Sequence, residues 1–354
     1  MAGSKWDFRT VQKTGGKAEL VPLTVEQRGR ISAYEEALLR AGASTVSNPP
    51  YSKYFVKESI GRINGPMFSA GNIEYGWCQA IHGEESAVSA FRAMYGRDRG
   101  NVGIVLGISA GNPDHIANPC GNCRDIMLED LGEDFEIVSG APEGGVAVVV
   151  KMSDFLFKHP VAQDLESGDR RLELNRKVRQ VFNSCIGIEN DAYSPGNVHP
   201  ERRYFAMIEM DGDNFFCGAH DVMCEYHPIY ALRDAVRQAR RYRSAHIKEV
   251  YVVGPSTGHG KFPHVMYKDR QHLLELNLQG ELMAGEERNP PVHLLTFDAS
   301  KIGHFSRLLE DALIGAWRTS VKEWLPFPFS PRNFGPEFLK HLTDYYQKKS
   351  CNEK

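Results

Sequence analysis

Four side chains in the first half of the chain are spaced for chemistry. His82 and Glu84 form H-x-E, and Cys120 and Cys123 close a P-C-x-x-C that begins at Pro119. One imidazole and two thiolates suit zinc and leave its fourth position open to water. A zinc ion lowers the pKa of water from ~15.7 toward ~7. Glu84 is no ligand in this scheme and stands where a proton carrier is needed. A closed structural site would need a fourth protein ligand, for which His115 and Cys78 are the nearest candidates.

These groups need rigid elements to aim them. A helix is expected to begin at His82, with Ala87, Val88, Phe91, Met94 and Tyr95 inward. A second is expected over Cys120–Asp130, entered at Pro119. Thiols three apart on a first helical turn face one way, and the positive helix end favours their thiolates. Arg124 offers a further donor toward them. Between the helices, the unbroken apolar run from Val102 to Ile108 reads as a strand covered on both faces. Upstream, Thr24 caps a helix to Ala41, with Gln27 at capping-box spacing. Strands are expected at Tyr54–Arg62 and Met67–Ser69 around Asn64-Gly65, and another at Val146–Val150. Residues 1–23 read as a loosely ordered extension. The alternation of helices and strands makes the unit an α/β sandwich.

From about Asp169 the order repeats: helix Leu172–Cys185, strands Tyr204–Met210 and Phe215-Phe216, helix Ile229–Tyr242, strand Val250–Val253, a helix from Pro263 to Leu276, strand Val292–Phe297. A period near half the chain means duplication of a domain. The copy aligns His227-Pro228-Ile229 with H-x-E and Pro263–Tyr267 with the cysteine motif, so its acid and both thiols are gone. Cys224, His227 and His264 are poorly spaced for a metal. The expected division is an extension 1–23, a catalytic domain 24–165 and a non-catalytic domain 166–354.

H-x-E with P-C-x-x-C is the pattern of zinc deaminases, and the surrounding residues resemble the cytidine deaminase family. Tyr51-Ser52-Lys53 resembles its P-Y-S-K-F turn, and Asn72-Ile73-Glu74 its N-x-E. His82-Gly83-Glu84-Glu85-Ser86-Ala87 resembles H-A-E-Q-S-A of the two-domain members, and Cys120-Gly121-Asn122-Cys123-Arg124 their C-G-H-C-R. Trp324-Leu325-Pro326 and Phe334–Leu339 resemble their closing segment. The likeness implies tandem three-layer α/β/α sandwiches with mixed five-stranded sheets, one zinc per chain and a homodimer of four deaminase-type units. It implies hydrolytic deamination of a cytosine nucleoside: hydroxide on zinc attacks the amine-bearing ring carbon, Glu84 shuttles the protons and ammonia leaves. By the same likeness Asn72 and Glu74 hold a sugar, while Tyr54 (at the family's Phe position) and Val56 line the base pocket. Lys57-Glu58-Ser59 departs from the family's Gly-Ala-Ala. It points outward, or places Glu58 against a substrate larger than cytidine. Tyr75-Gly76-Trp77 adds an aromatic cluster suited to packing.

Composition narrows the alternatives. The net charge of −3, with 42% hydrophobic and 25% charged residues, is that of an ordinary globular protein. A polynucleotide cytosine deaminase would show a basic groove with interleaved aromatics. The cluster Arg237, Arg240, Arg241, Arg243 reads instead as a solvated helix face. Acidic balance and N-x-E favour a free nucleoside. The remaining alternative is a deaminase fold repurposed for binding, or for hydrolysis of another amino or guanidino compound. No run of ~18 apolar residues suggests a membrane span, and Met1–Thr14 lacks the apolar core of a secretory signal. Seven scattered cysteines imply a reducing, cytoplasmic setting without a disulfide framework.

Overall fold

The structure is a computed structural model. It describes residues 4–14, 17–43, 47–50, 52–75, 79–96, 103–110, 118–155, 169–191, 204–212, 214–219, 230–241, 246–256, 262–304, 307–326, 340 and 342–344. The chain divides into two compact units. The first is Met1–Leu156 with Phe327–Gly335, and the second Phe157–Pro326 with Pro336–Lys354.

The first unit contains β1 (Trp6–Thr14), β2 (Lys17–Pro22), α1 (Val25–Arg28), α2 (Ile31–Ala43), β3 (Val56–Arg62), β4 (Met67–Gly71), β5 (Ile73–Tyr75), β6 (Gln79–Ile81), α3 (Gly83–Tyr95), β7 (Ile104–Ala110), α4 (Gly121–Leu131), β8 (Glu136–Gly140) and β9 (Gly145–Lys151). Its main sheet runs β2-β1-β9-β8-β7-β3-β4, with β7–β8 and β1–β9 parallel and the other pairs antiparallel. Strand alternation divides the core. Ile104, Leu106 and Ile108 join Ala87, Val88 and Phe91 of α3 and Cys123 and Met127 of α4. Val105, Val138 and Val149 face Tyr34, Ala37 and Leu38 of α2 on the other side. This is the expected α/β sandwich. Gly107 lets α2 approach: a Cβ there would lie 2.6 Å from the Ala37 carbonyl carbon.

Several expectations need correction. The described residues of the stretch 1–23 are not loose: β1 and β2 widen the sheet to seven strands, with Trp6 and Phe8 buried against Tyr34. The expected helix from Thr24 breaks after Arg28, although the capping box of Thr24 and Gln27 forms. Met94 is 64% exposed and packs no core. Strand β8 adds an element with no counterpart in the expected order.

The second unit contains α5 (Asp169–Asp191), β10 (Phe205–Met210), β11 (Asn214–Gly218), α6 (Ala231–Ala239), β12 (Ile247–Pro255), α7 (Tyr267–Ala284), β13 (Pro291–Phe297), β14 (Leu313–Ser320) and the short helix α8 (Val321–Trp324). Its sheet order is β11-β10-β12-β13-β14, with only β12–β13 parallel. That repeats β4-β3-β7-β8-β9 strand for strand and sense for sense. A buried arginine marks the register. Arg124 donates to Pro119 O at 2.9 Å and Phe155 O at 3.2 Å. Arg270 donates to Val265 O at 3.1 Å and Trp324 O at 3.3 Å. The two units therefore share one sheet topology and one hydrogen-bond pattern.

Candidate active site

Two helix starts converge on one point. His82 is the N-cap of α3 and Cys120 that of α4. Cys120 Sγ lies 3.2 Å from His82 Nδ1, Cys123 Sγ lies 3.3 Å from it, and the two sulfurs are 3.5 Å apart. Three of the ligand atoms around a tetrahedral zinc ion are separated by ~3.5–3.8 Å. The triangle therefore fits zinc, and it is the one such cluster among the described residues. His115 and Cys78 lie outside those residues.

The metal-free electrostatics follow from this crowding. A hydrogen bond with Cys120, then the charges of Cys120, Glu84 and Glu85, raise His82 to about 9 against the opposing effect of burial. Cys120 is held well below the ordinary thiol value, first by its hydrogen bond from Cys123 and then by His82. Burial and the neighbouring thiolate push Cys123 up. Zinc binding displaces these protons.

Glu84 stands on the first turn of α3 and is 7% exposed. Burial and then the charge of Cys120 raise its pKa, opposed by His82 and by hydrogen bonds from its own N–H and from Cys123. A carboxyl moved up from its ordinary range is suited to taking and returning protons near neutral pH. Glu85, which the motif reading passed over, ties the two helix starts. Its Oε2 accepts from His82 N at 2.8 Å, and its Oε1 accepts from the Asn122 side chain. Its position three residues beyond the N-cap was the available signal.

A cavity of about 120 Å³ meets this cluster. Ser52, Tyr54, Val56, Asn72, Glu74, Ala80, His82, Glu84, Asn118 and Cys120 form its wall. Asn72 also shapes that wall. Its Oδ1 accepts from Val56 N at 3.0 Å and Ser47 Oγ at 2.6 Å, and its Nδ2 donates to Tyr54 O at 2.7 Å. Glu74 Oε2 accepts from Ser52 N at 2.9 Å. Burial and then the carboxyls of Glu84 and Glu58 push the Tyr54 hydroxyl up to about 12.

Two expected roles change. Glu58, expected to line the pocket, is fully buried and is not among the residues of the cavity wall. Period-two alternation puts it on the face of Val56 and Ile60, under α3. Its neighbour Ser59 turns to α2, donating to Ala37 O at 2.7 Å, and Lys57 reaches Gly42 O. Arg124 does not damp the thiolates through its described hydrogen bonds. It pins the Pro119 carbonyl that precedes Cys120 and stacks on Phe155.

The second unit fills the same place differently. Its helix starts are capped by Tyr230 and Met266. Counting from these caps, Leu232 takes the place of Glu84 and Asp269 that of Cys123. The sequence alignment was three residues early on His227–Ile229 and two early on Pro263–Tyr267; His227, Pro228 and Ile229, like Cys224, lie outside the described residues. Asp269 is fully buried and bonded to Arg233 at 2.6 Å. An ion pair thus bridges α6 and α7 at the level where α3 and α4 present metal ligands.

No family model matches the chain. Among solved structures, it is similar to a cytidine deaminase from Burkholderia pseudomallei, at 20% identity and a TM-score of 0.30 over 38% of this chain and 97% of that one. It is also similar to a cytidine deaminase from Mycobacterium leprae, at 24% identity and a TM-score of 0.28 over 35% of this chain and 98% of that one. Likeness at this level decides nothing about chemistry, so the functional reading rests on the site itself.

Proposed function

We propose that the first unit is a zinc-dependent hydrolytic deaminase of a cytosine nucleoside, cytidine, deoxycytidine or a modified form, and that the second unit is its non-catalytic copy. The observation that supports this most is the placing of Glu84: a buried carboxyl beside an open three-ligand triangle, on the wall of a cavity. A purely structural metal site has no use for such an acid.

His82, Cys120 and Cys123 would hold the ion, which when bound supplies a Lewis acid that makes water a nucleophile at neutral pH. The remaining chemistry belongs to the chain. Glu84 accepts one proton of the attacking water and delivers it to the ring nitrogen next to the amine-bearing carbon, then accepts the second proton from the added hydroxyl and delivers it to the departing amine, which leaves as ammonia while a carbonyl forms. Val56 and the Tyr54 ring supply an apolar wall for a flat base. Asn72 and Glu74 supply acceptors and a donor of the kind that hydroxyls of a sugar need.

The test is ammonia release from cytidine and deoxycytidine by the zinc-loaded protein. Native protein should turn over, and Glu84→Gln should keep its zinc and lose at least ~100-fold in kcat, the upper part of the range for general acid–base groups. Full activity in Glu84→Gln would sink the mechanism. Salt-sensitive tight binding of single-stranded RNA or DNA in a gel shift would replace free nucleoside with polynucleotide as substrate.

A further inference from the structure

One buried ionisable group is left unexplained by this mechanism. The Glu58 carboxyl sits in β3 with both oxygens out of solvent. Among the described residues neither oxygen has a hydrogen-bond partner, and Glu84 and Tyr54 are its ionisable neighbours. A buried acid without a hydrogen-bond partner is costly to keep. Something must compensate for retaining it.

The helix above is shaped around it. A Cβ on Gly83 would fall 1.5 Å from Glu58 Oε2 and 2.2 Å from its Cδ. Gly83 has ordinary helical backbone, so conformational freedom does not explain the glycine. The space does: the Glu58 carboxyl occupies the volume of a methyl group between His82 and Glu84.

The second unit supplies an internal comparison. Glu58 pairs with Ile108 across β3–β7, and the equivalent pair across β10–β12 is Ala206 with Val252. The residue after the cap of α6 is Ala231. Where the proton carrier has become Leu232, the second carboxyl and the glycine are both absent, and two alanines fill the space.

We propose that Glu58 is a positioning residue for Glu84: its carboxyl packs under the first turn of α3 from the side of the sheet, bracing the backbone that carries Glu84, and Gly83 is glycine to admit it. The Glu58 carboxyl fills the space beneath Gly83 and so fixes the height and direction of the turn that carries His82 and Glu84. This role rests on the proposed deaminase reading, while the Gly83–Glu58 contact does not.

The test has two parts. Thermal unfolding of Gly83→Ala, Glu58→Ala and the double variant reads the contact. Gly83→Ala should lower Tm in the native background and have little further effect on Glu58→Ala. Equal effects in both backgrounds would overturn the proposal. Steady-state kinetics on cytidine, with zinc content measured, read the role. Glu58→Ala and Glu58→Ala/Gly83→Ala should keep zinc and KM and lose ~10–100-fold in kcat, the scale of a misplaced catalytic group. Glu58→Gln, which keeps the shape of the carboxyl, should recover most of that loss. A double variant with native kcat would reduce Glu58 to packing and overturn its positioning role. If native protein releases no ammonia from cytidine, the deaminase reading falls and takes the positioning role with it, whatever the unfolding data show.

Discussion

Arg124 and Arg270 allow one interaction to be measured twice in one chain. Each is fully or almost fully buried and gives its guanidinium to two backbone carbonyls. Each also lies over an aromatic ring, Phe155 at 5.0 Å and Trp324 at 4.9 Å. Arg→Met keeps much of the volume and removes the donors. Hydrogen bonds from charged groups contribute about 1.5–3 kcal/mol each, so two of them set a gross loss of about 3–6 kcal/mol. Relief from burying a charge opposes this. It does not cancel it, because the two acceptor carbonyls remain buried and lose these donors. A net loss near 3 kcal/mol is expected for each variant, or a fall in Tm of about 6–12 °C for a unit of this size. The variants should part company on the metal. Arg124 holds the carbonyl just before Cys120, so Arg124→Met should weaken zinc in a chelator competition and Arg270→Met should not. Urea or thermal unfolding of zinc-loaded protein gives the stabilities. A loss under about 1 kcal/mol in both, or equal effects on zinc, would refute the assigned role.

Three further outcomes are expected. Gly107→Ala drives a methyl group into the α2 backbone at 2.6 Å and should cost about 1–3 kcal/mol by overpacking, read from the urea midpoint. Cys120→Ala should lose the metal, and atomic absorption showing unchanged zinc would contradict the ligand set. Glu74→Ala should raise KM for cytidine by about 10–100-fold with a smaller effect on kcat, since removing a partner to a charged group costs about 1.5–3 kcal/mol; an unchanged KM would remove Glu74 from the sugar contacts.

The metal triangle was legible because its rules are local. A helix start presents its N-cap and first-turn side chains together, so H-x-E and C-x-x-C carry geometry as well as chemistry. What the sequence hid depends on distant partners. Strand β8 reads E-I-V-S-G, and its Glu136 looks solvated until Arg30 and Tyr34 are seen to hold it at 3.0 and 2.8 Å. The alternation of Trp6 and Phe8 was present, but the polar residues after them obscured a strand that is held in the main sheet by the distant β9. Without ligands to anchor it, the second copy could not be aligned to better than one helical turn. The direction of Glu58 was readable: period two placed it with Val56 and Ile60. What waited there, the Glu84 carboxyl and the gap at Gly83, was not.

The hairpin at the start of the first unit has a consequence for how the chain folds. Trp6 pairs with Gly145 and Thr10 with Val149, so β1 meets its parallel partner only after roughly 140 residues have been made. At the ~5–20 residues per second of translation, that is an interval on the order of 7–28 s. During it, β1 and β2 can pair only with each other, and an isolated two-stranded hairpin is marginal in water. Trp6 and Phe8 then have no core to enter. The five central strands can assemble first, since their contacts are nearer in sequence. The hairpin then docks last, covering the exposed edge of β9 that would otherwise invite pairing with another chain.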